Sequence, residues 1–318
     1  MFEVKPLNRS SLTNGLGAFS TQKIPGGTKV FTEPPITTVP ISDHMMWQLT
    51  KDLLIAGHGE SIKTLASIPV SKAPPITKKM LKELLPKFSK SIVERTYHIV
   101  CRNAYVIRNF LTYHQRGLGL YPVISRFNHH CNPNCALVFD DVSGMIVAIR
   151  DIDVDEELTL SYHLLASSAL PVLFRQKIIV HHYDFICQCS ECEKSIASSC
   201  DDISTFEVLE RSPLDERLIK LCKVLIEKEL SPNITMVIAV LCLRSFLSSG
   251  QETDHAIFCN DLAVQCLELI HHVKESYLRW YAEWLLTLIL EIDHPTHFYQ
   301  ESLLVNDRKD CSALNVQH

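Results

Sequence analysis

The stretch 125–135, S-R-F-N-H-H-C-N-P-N-C, crowds imidazole, thiol and amide groups into very little backbone. N-P-N is a turn signal, so the segment is expected to be a compact loop and not a strand or a long helix. Directly after it, Ala136-Leu137-Val138-Phe139 resumes apolar alternation and reads as a strand. A polar loop pinned to a strand is where a scaffold normally carries its chemistry.

A second concentration of reactive groups follows at Cys187, Cys189 and Cys192, spaced C-x-C-x2-C. Three sulfurs this close can reach one metal, but tetrahedral zinc wants a fourth ligand. Cys131 in the central loop is the candidate, with His129, His130 or Cys135 as alternatives, or simply a set of free buried thiols. A closed four-thiolate site leaves no open position for water and is structural. It would staple the C-terminal cysteine loop to the central loop, with binding energy counted as folding energy. Cys101, Cys222, Cys242, Cys259 and Cys266 lie on apolar faces of predicted helices and read as packing residues.

The elements that must position these groups read as follows. Gly15-Leu16-Gly17, Ala18 to Thr21, the turn Pro25-Gly26-Gly27 and then Thr28 to Phe31 suggest strand, tight turn, strand. The glycines permit positive φ or close approach of backbone to a ligand. Residues 40–100 change character: 45–55 and 80–88 have helical spacing with basic, solvated faces, and 91–110 reads as a longer helix. Strands are expected at 145–150 and 157–161, separated by turns at 141–144 and 151–156, giving a mostly antiparallel β core. Residues 169–181 look helical. Beyond Cys200, four amphipathic segments at 218–230, 234–247, 256–270 and 277–292 suggest a tetratricopeptide-like stack, and 306–318 a frayed end. His181, His182, His271 and His272 read as surface or packing histidines.

Composition sets the class. The chain has 318 residues, 46% hydrophobic and 21% charged, enough for two ordinary globular domains. A net charge of -5 gives no basic footprint for duplex nucleic acid, and a mildly acidic surface suits a basic peptide. The start lacks a secretory pattern, and the most apolar run, 234–247, is short for a membrane span and contains Arg244. Twelve cysteines in that context point to a reducing, intracellular compartment.

Taken together, the motifs resemble the SET-domain protein lysine methyltransferases, most of all the SMYD (SET-and-MYND) branch. The resemblance rests on G-L-G at 15–17, N-A-Y at 103–105, G-L-G-L-Y-P at 117–122 and N-H-H-C-N-P-N-C at 128–135. It continues through E-E-L-T-L-S-Y at 156–162 and the C-x-C-x2-C of a post-SET region. It covers roughly residues 15–192. The MYND zinc finger of that branch would fall where 40–100 holds no cysteine, so the chain resembles a relative without it. His130 stands where the family usually has Ser, and Leu16 lies between the glycines where a polar residue could touch the cofactor.

The resemblance implies an α+β fold. A β-rich SET domain split between 1–39 and 101–163 would carry a helical insertion at 40–100. A zinc-bound post-SET region at 164–195 and an all-helical, TPR-like C-terminal domain at 196–318 would follow. It implies Tyr162 as the catalytic tyrosine, with Tyr105, Phe139 and Tyr183 lining a lysine channel. Gly15, Leu16, Gly17, Asn103, Ser125, Asn128, His129 and Phe185 match positions that bind S-adenosylmethionine (AdoMet). Cys131, Cys187, Cys189 and Cys192 would hold zinc. The implied activity is methylation of a basic protein, histone tails being the expected class, in the nucleus and/or the cytoplasm. The chain is expected to act as a monomer without membrane or direct nucleic-acid contact, and its helical tail could engage a protein partner. Two other readings are a catalytically silent SET scaffold and a methyltransferase of a non-histone protein.

Overall fold

The computed structural model describes residues 1–7, 15–66, 74–108, 115–163 and 172–194, with isolated helical positions at Ala239, Val240, Ala263 and Ala282. The predicted tetratricopeptide-like stack otherwise lies outside the described residues.

Among the described residues, three small sheets build the core. In the first, β2 (Leu16–Ser20) pairs antiparallel with β1 (Phe2–Pro6) on one side and β10 (Glu157–Leu160) on the other. β10 then runs parallel to the two-residue β7 (Asn128–His129), with Thr159 opposite Asn128 and Leu160 opposite His129. The second sheet orders β3 (Lys29–Glu33), β9 (Ser143–Ala148) and β8 (Cys135–Asp140). β8 and β9 form a hairpin whose turn residue Asp141 has φ 52°, a left-handed conformation that Asp tolerates. The third sheet orders β4 (Thr38–Pro40), β6 (Gln115–Leu120) and β5 (Ala104–Arg108).

Period-two alternation turns Ala18, Leu158, Leu160, Ile146 and Ala148 inward, where they join Ile124 and Phe127 in one apolar cluster. Burial of these side chains is the main force holding together strands that lie far apart in the sequence.

The helical insertion consists of α1 (Met45–Ile55), the single turn α2 (Gly59–Ile62), α3 (Lys78–Leu84) and α4 (Lys90–Asn103). Thr77 and Ser89 start α3 and α4 as N-caps, accepting from the N–H groups of Met80 and Ile92. Leu49, Leu53, Ile99 and Val100 pack against Leu118 and Leu120, so the insertion is docked on the third sheet. Trp47, Leu84, Val93 and Tyr97 form its own core.

Two local expectations change. The helix foreseen over 91–110 stops at Asn103, and Ala104-Tyr105-Val106-Ile107 becomes β5. Aromatic and β-branched residues suit either element locally, and pairing with Gly117 to Leu120 decides for strand. The central loop also contains regular structure: after a 3-10 turn at Ile124–Arg126, Asn128 and His129 find backbone partners on β10, and the chain then turns through Asn132-Pro133-Asn134. The helix foreseen over 169–181 is observed as α5 (Val172–Tyr183), followed by α6 (Ser190–Lys194).

Candidate active site and cysteine cluster

The two cysteine-bearing segments meet. The Sγ atoms of Cys131, Cys187, Cys189 and Cys192 all lie within 4.8 Å of one another. Cys131 Sγ is 3.5 Å from that of Cys192 and 4.0 Å from that of Cys187. Tetrahedral zinc with bonds of about 2.3 Å requires sulfurs roughly 3.8 Å apart, so the donor set and spacing are compatible with a structural zinc ion. Hydrogen bonds from Cys131, Cys187 and Cys192 hold the Cys189 thiol far below the ordinary range. Cys192 is lowered too, whereas the same network raises Cys131 and Cys187, so the four sulfurs share protons among themselves.

Local folding explains the meeting. Gln176 on α5 clamps the loop by donating Nε2 to the Cys187 carbonyl at 2.6 Å and accepting the Cys187 N–H at 2.9 Å. Arg175, only 1% exposed, donates to the Glu191 carbonyl at 3.1 Å and lies 3.8 Å from Cys192 Sγ. A buried guanidinium beside four sulfurs offsets their negative charge. His130 joins the same two loops, its Nε2 lying 3.3 Å from Ser190 Oγ while its Nδ1 accepts the Asn132 N–H.

Next to this cluster stands an aromatic group. Tyr162 follows β10 and donates its hydroxyl to the Phe127 carbonyl at 3.0 Å. Its ring meets Tyr183 at 5.2 Å, His129 at 5.4 Å and, edge-on, Phe185 at 6.3 Å. Tyr183 donates to the Tyr162 carbonyl at 2.6 Å, and Arg102 donates to the Tyr183 carbonyl. Tyr105 is held by the Ile124 carbonyl at 3.5 Å. Burial pushes the phenols of Tyr162 and Tyr105 well above their ordinary range, with the neighbouring phenol of Tyr183 adding to both. Both hydroxyls therefore stay neutral at working pH.

His129 is buried, and that burial drives its imidazole down to about 3. Its Nδ1 accepts the Tyr162 N–H at 3.2 Å and its Nε2 lies 3.6 Å from Cys131 Sγ. The ring is thus a neutral tautomer protonated on Nε2.

The residues expected at the cofactor separate into two groups. Gly15, Leu16, Gly17, Asn128 and His129 come together where β2 and β7 flank β10, and Phe185 packs 6.2 Å from the His129 ring. Asn103 instead donates its amide to the Ala66 and Ile99 carbonyls, and Ser125 donates its hydroxyl to the carbonyls of Asn103 and Tyr121. Among the channel residues, Phe139 meets Tyr121 at 5.7 Å, and Tyr121 in turn meets Tyr105. Tyr105, Tyr162 and Tyr183 gather; Phe139 stands one ring further out.

Three contributors went unnoticed in the sequence. Glu157 accepts from Asn128, Arg175 lies against the cysteines, and Glu33 holds the turn before Phe127. Glu157 stood inside the E-E-L-T-L-S-Y run and could have been weighed there. Arg175 and Glu33 carried no local signal.

The SET domain family matches residues 15–163. The Arabidopsis thaliana protein named histone-lysine N-methyltransferase ASHR1 is 42% identical over 77 residues, 24% of this chain and 15% of its own length. Human histone-lysine N-methyltransferase SMYD3 is 38% identical over 112 residues, 35% of this chain and 24% of its own. SET domain and MYND-type zinc finger protein 6 of Schizosaccharomyces pombe is 29% identical over 170 residues, 50% of this chain and 32% of its own. The chain thus spans less than a third of the length of each of these relatives. Residues 15–163 form a SET domain, with histone-lysine methyltransferases of the SMYD branch among its relatives.

Proposed function

We propose that the chain is an AdoMet-dependent protein lysine N-methyltransferase, with histones as its substrate class and activity in the nucleus and/or the cytoplasm. The observation that carries this reading is the position of the Tyr162 phenol. It is neutral and half-buried among Tyr105, Tyr183, His129 and Phe185, with its hydroxyl fixed by the Phe127 carbonyl, one residue before Asn128.

The residues fit AdoMet. Gly17 lets the Glu157 carboxylate and Leu7 close in on the backbone beside Asn128, since a Cβ there would stand 2.9 Å from both Glu157 Oε1 and Leu7 Cδ2. Asn128 and the Leu16 backbone would hold the methionyl end, and Phe185 and His129 would lie beside the adenosyl part. Bound AdoMet supplies a methyl carbon made electrophilic by its sulfonium.

The chain's own residues would then align the amine and favour its neutral form, the proton having left to solvent. An incoming lysine must be a neutral amine, although free lysine titrates near about 10.4. The aromatic walls of Tyr105, Tyr162 and Tyr183 attract the cation by its charge and then, being poorly hydrated, disfavour the ammonium form. Because Tyr162 gives its proton to the Phe127 carbonyl, its oxygen keeps lone pairs to accept an amine N–H and to contact the polarised methyl group. Alignment of nucleophile and methyl is worth about 7 kcal/mol or more in well-oriented intramolecular reactions. Cys131, Cys187, Cys189 and Cys192 would hold the structural zinc that closes this wall.

The test is transfer from labelled AdoMet to core histones and, separately, to proteins of a cell extract, using the wild type and Tyr162→Phe. Labelled lysine in histones is expected, with a drop on the order of 100-fold in the variant. Equal labelling by both proteins would remove Tyr162 from the mechanism. AdoMet binding without any transfer would favour the silent scaffold, and labelling confined to extract proteins would reassign the substrate class.

A further inference from the structure

Asn128 is gripped by two groups that can only accept hydrogen bonds. Its Nδ2 donates to the Leu16 carbonyl at 3.0 Å and to Glu157 Oε1 at 2.8 Å. A carbonyl and a carboxylate together decide which end of a carboxamide faces them, because only the NH2 end can satisfy both. The Oδ1 end then takes no hydrogen bond from any described residue. Glu157 owes its place to β10, whose antiparallel pairing sets it opposite Phe19 on β2. Gly17 completes the arrangement, since the carboxylate occupies the volume its missing Cβ would take.

We propose that Glu157 is a positioning residue for the cofactor: it locks the Asn128 amide so that Oδ1 is offered to the α-ammonium of the methionyl end. This rests on the reading that the site binds AdoMet. An ammonium has three donors and no acceptor, so it complements a free carbonyl oxygen and would be repelled by an NH2 group in the same place. The carboxylate behind the amide adds a negative charge within reach of the same cation, and it acts over partly buried distances where screening is weak. The methionyl carboxylate gains nothing from this corner and must be held elsewhere. The same negative charge contributes, after burial and Tyr183, to keeping Tyr162 protonated. Gln in place of Glu157 would offer Asn128 a donor as readily as an acceptor, and the amide would lose its fixed sense.

Calorimetric titration of the full chain with S-adenosylhomocysteine and with 5′-methylthioadenosine separates this role from simple support of the fold. The first ligand carries the α-ammonium; the second shares the thioadenosine part and lacks the amino-acid end. In Glu157→Gln, affinity for S-adenosylhomocysteine is expected to fall about tenfold, while that for 5′-methylthioadenosine and the melting temperature hold. Equal weakening of both ligands, or no change in either, would overturn the assignment and leave the methyltransferase reading standing. A wild-type chain that bound neither ligand would overturn both.

Discussion

The ring of His129 bridges the cysteine cluster and the backbone of Tyr162, accepting the Tyr162 N–H at 3.2 Å through Nδ1 with Nε2 3.6 Å from Cys131 Sγ. A side chain from the loop 125–135 therefore sets the height of the tyrosine through its main chain, not through its hydroxyl. His129→Ala should leave a buried N–H unpaired at a cost of about 1–3 kcal/mol, and a displaced Tyr162. Methyl transfer should fall roughly 10-fold to 100-fold. His129→Asn, which keeps an acceptor on a shorter side chain, should recover part of it. Single-turnover rates at saturating AdoMet check this, and an Ala variant as fast as wild type would show that the bridge is idle.

The cysteine cluster makes a compositional prediction. Metal analysis of the purified protein should find one zinc per chain, and Cys192→Ser should lose it together with thermal stability, because metal affinity here is folding energy. Arg175→Met keeps the volume and removes the buried cation 3.8 Å from Cys192 Sγ. Charge-assisted contacts of this kind are worth about 1.5–3 kcal/mol. Transfer of zinc to a chromogenic chelator should therefore speed up by on the order of tenfold, whereas an unchanged rate would make Arg175 a packing residue only.

The convergence of Cys131 with Cys187, Cys189 and Cys192 was legible because thiols at that spacing have few other uses in a reducing compartment. Tyr162 was singled out only through the resemblance carried by E-E-L-T-L-S-Y; the alternation by itself indicated no more than a strand ending beside it. Glu157 and Glu33 were not, because an acid in a strand reads as a solvated face until its partner is known, and those partners are Asn128 and the N–H groups of Val123 and Ile124. The passage from α4 to β5 at Ala104 was hidden for a related reason. Tyr105 and Val106 continue a helical apolar spacing, and only the neighbouring strand from Gly117 to Leu120 breaks it. Short edge strands such as β1 and β4 carry too few residues for any period to show.

Gly117 offers a test of that third sheet. A Cβ there would stand 2.5 Å from the Val39 carbonyl oxygen, a backbone atom that cannot swing away. Gly117→Ala should push β4 off β6 and cost about 1–3 kcal/mol, the usual range for forced overpacking. Leu118 and Leu120, which carry the insertion's contacts to the sheet, would shift with it. Chemical denaturation measures the loss, and a variant as stable as wild type would mean that the two strands are free to separate.

Glu33 should make stability depend on pH in a direction opposite to most carboxylates. The side chain is 8% exposed, and its two oxygens accept the N–H groups of Val123, at 3.0 and 3.2 Å, and of Ile124, at 2.8 Å. Burial raises its pKa, and the backbone donors pull it down without cancelling the rise. The folded protein therefore keeps the Glu33 proton to higher pH than the unfolded chain does, so over that interval folding binds a proton. The resulting stability is fully present below the unfolded value of about 4.5 and is lost as pH rises through the raised folded value. Glu33→Gln keeps one oxygen acceptor and removes the titration. The unfolding free energy of wild type minus that of Glu33→Gln should accordingly shrink as pH is raised from about 4 to about 7.5. A difference that stayed flat or grew would mean that the carboxylate is charged without penalty, and the turn would then owe its place to its own packing. That turn ends at the Phe127 carbonyl, which orients the Tyr162 hydroxyl, so methyl transfer by the variant should fall in step with any loosening of the turn.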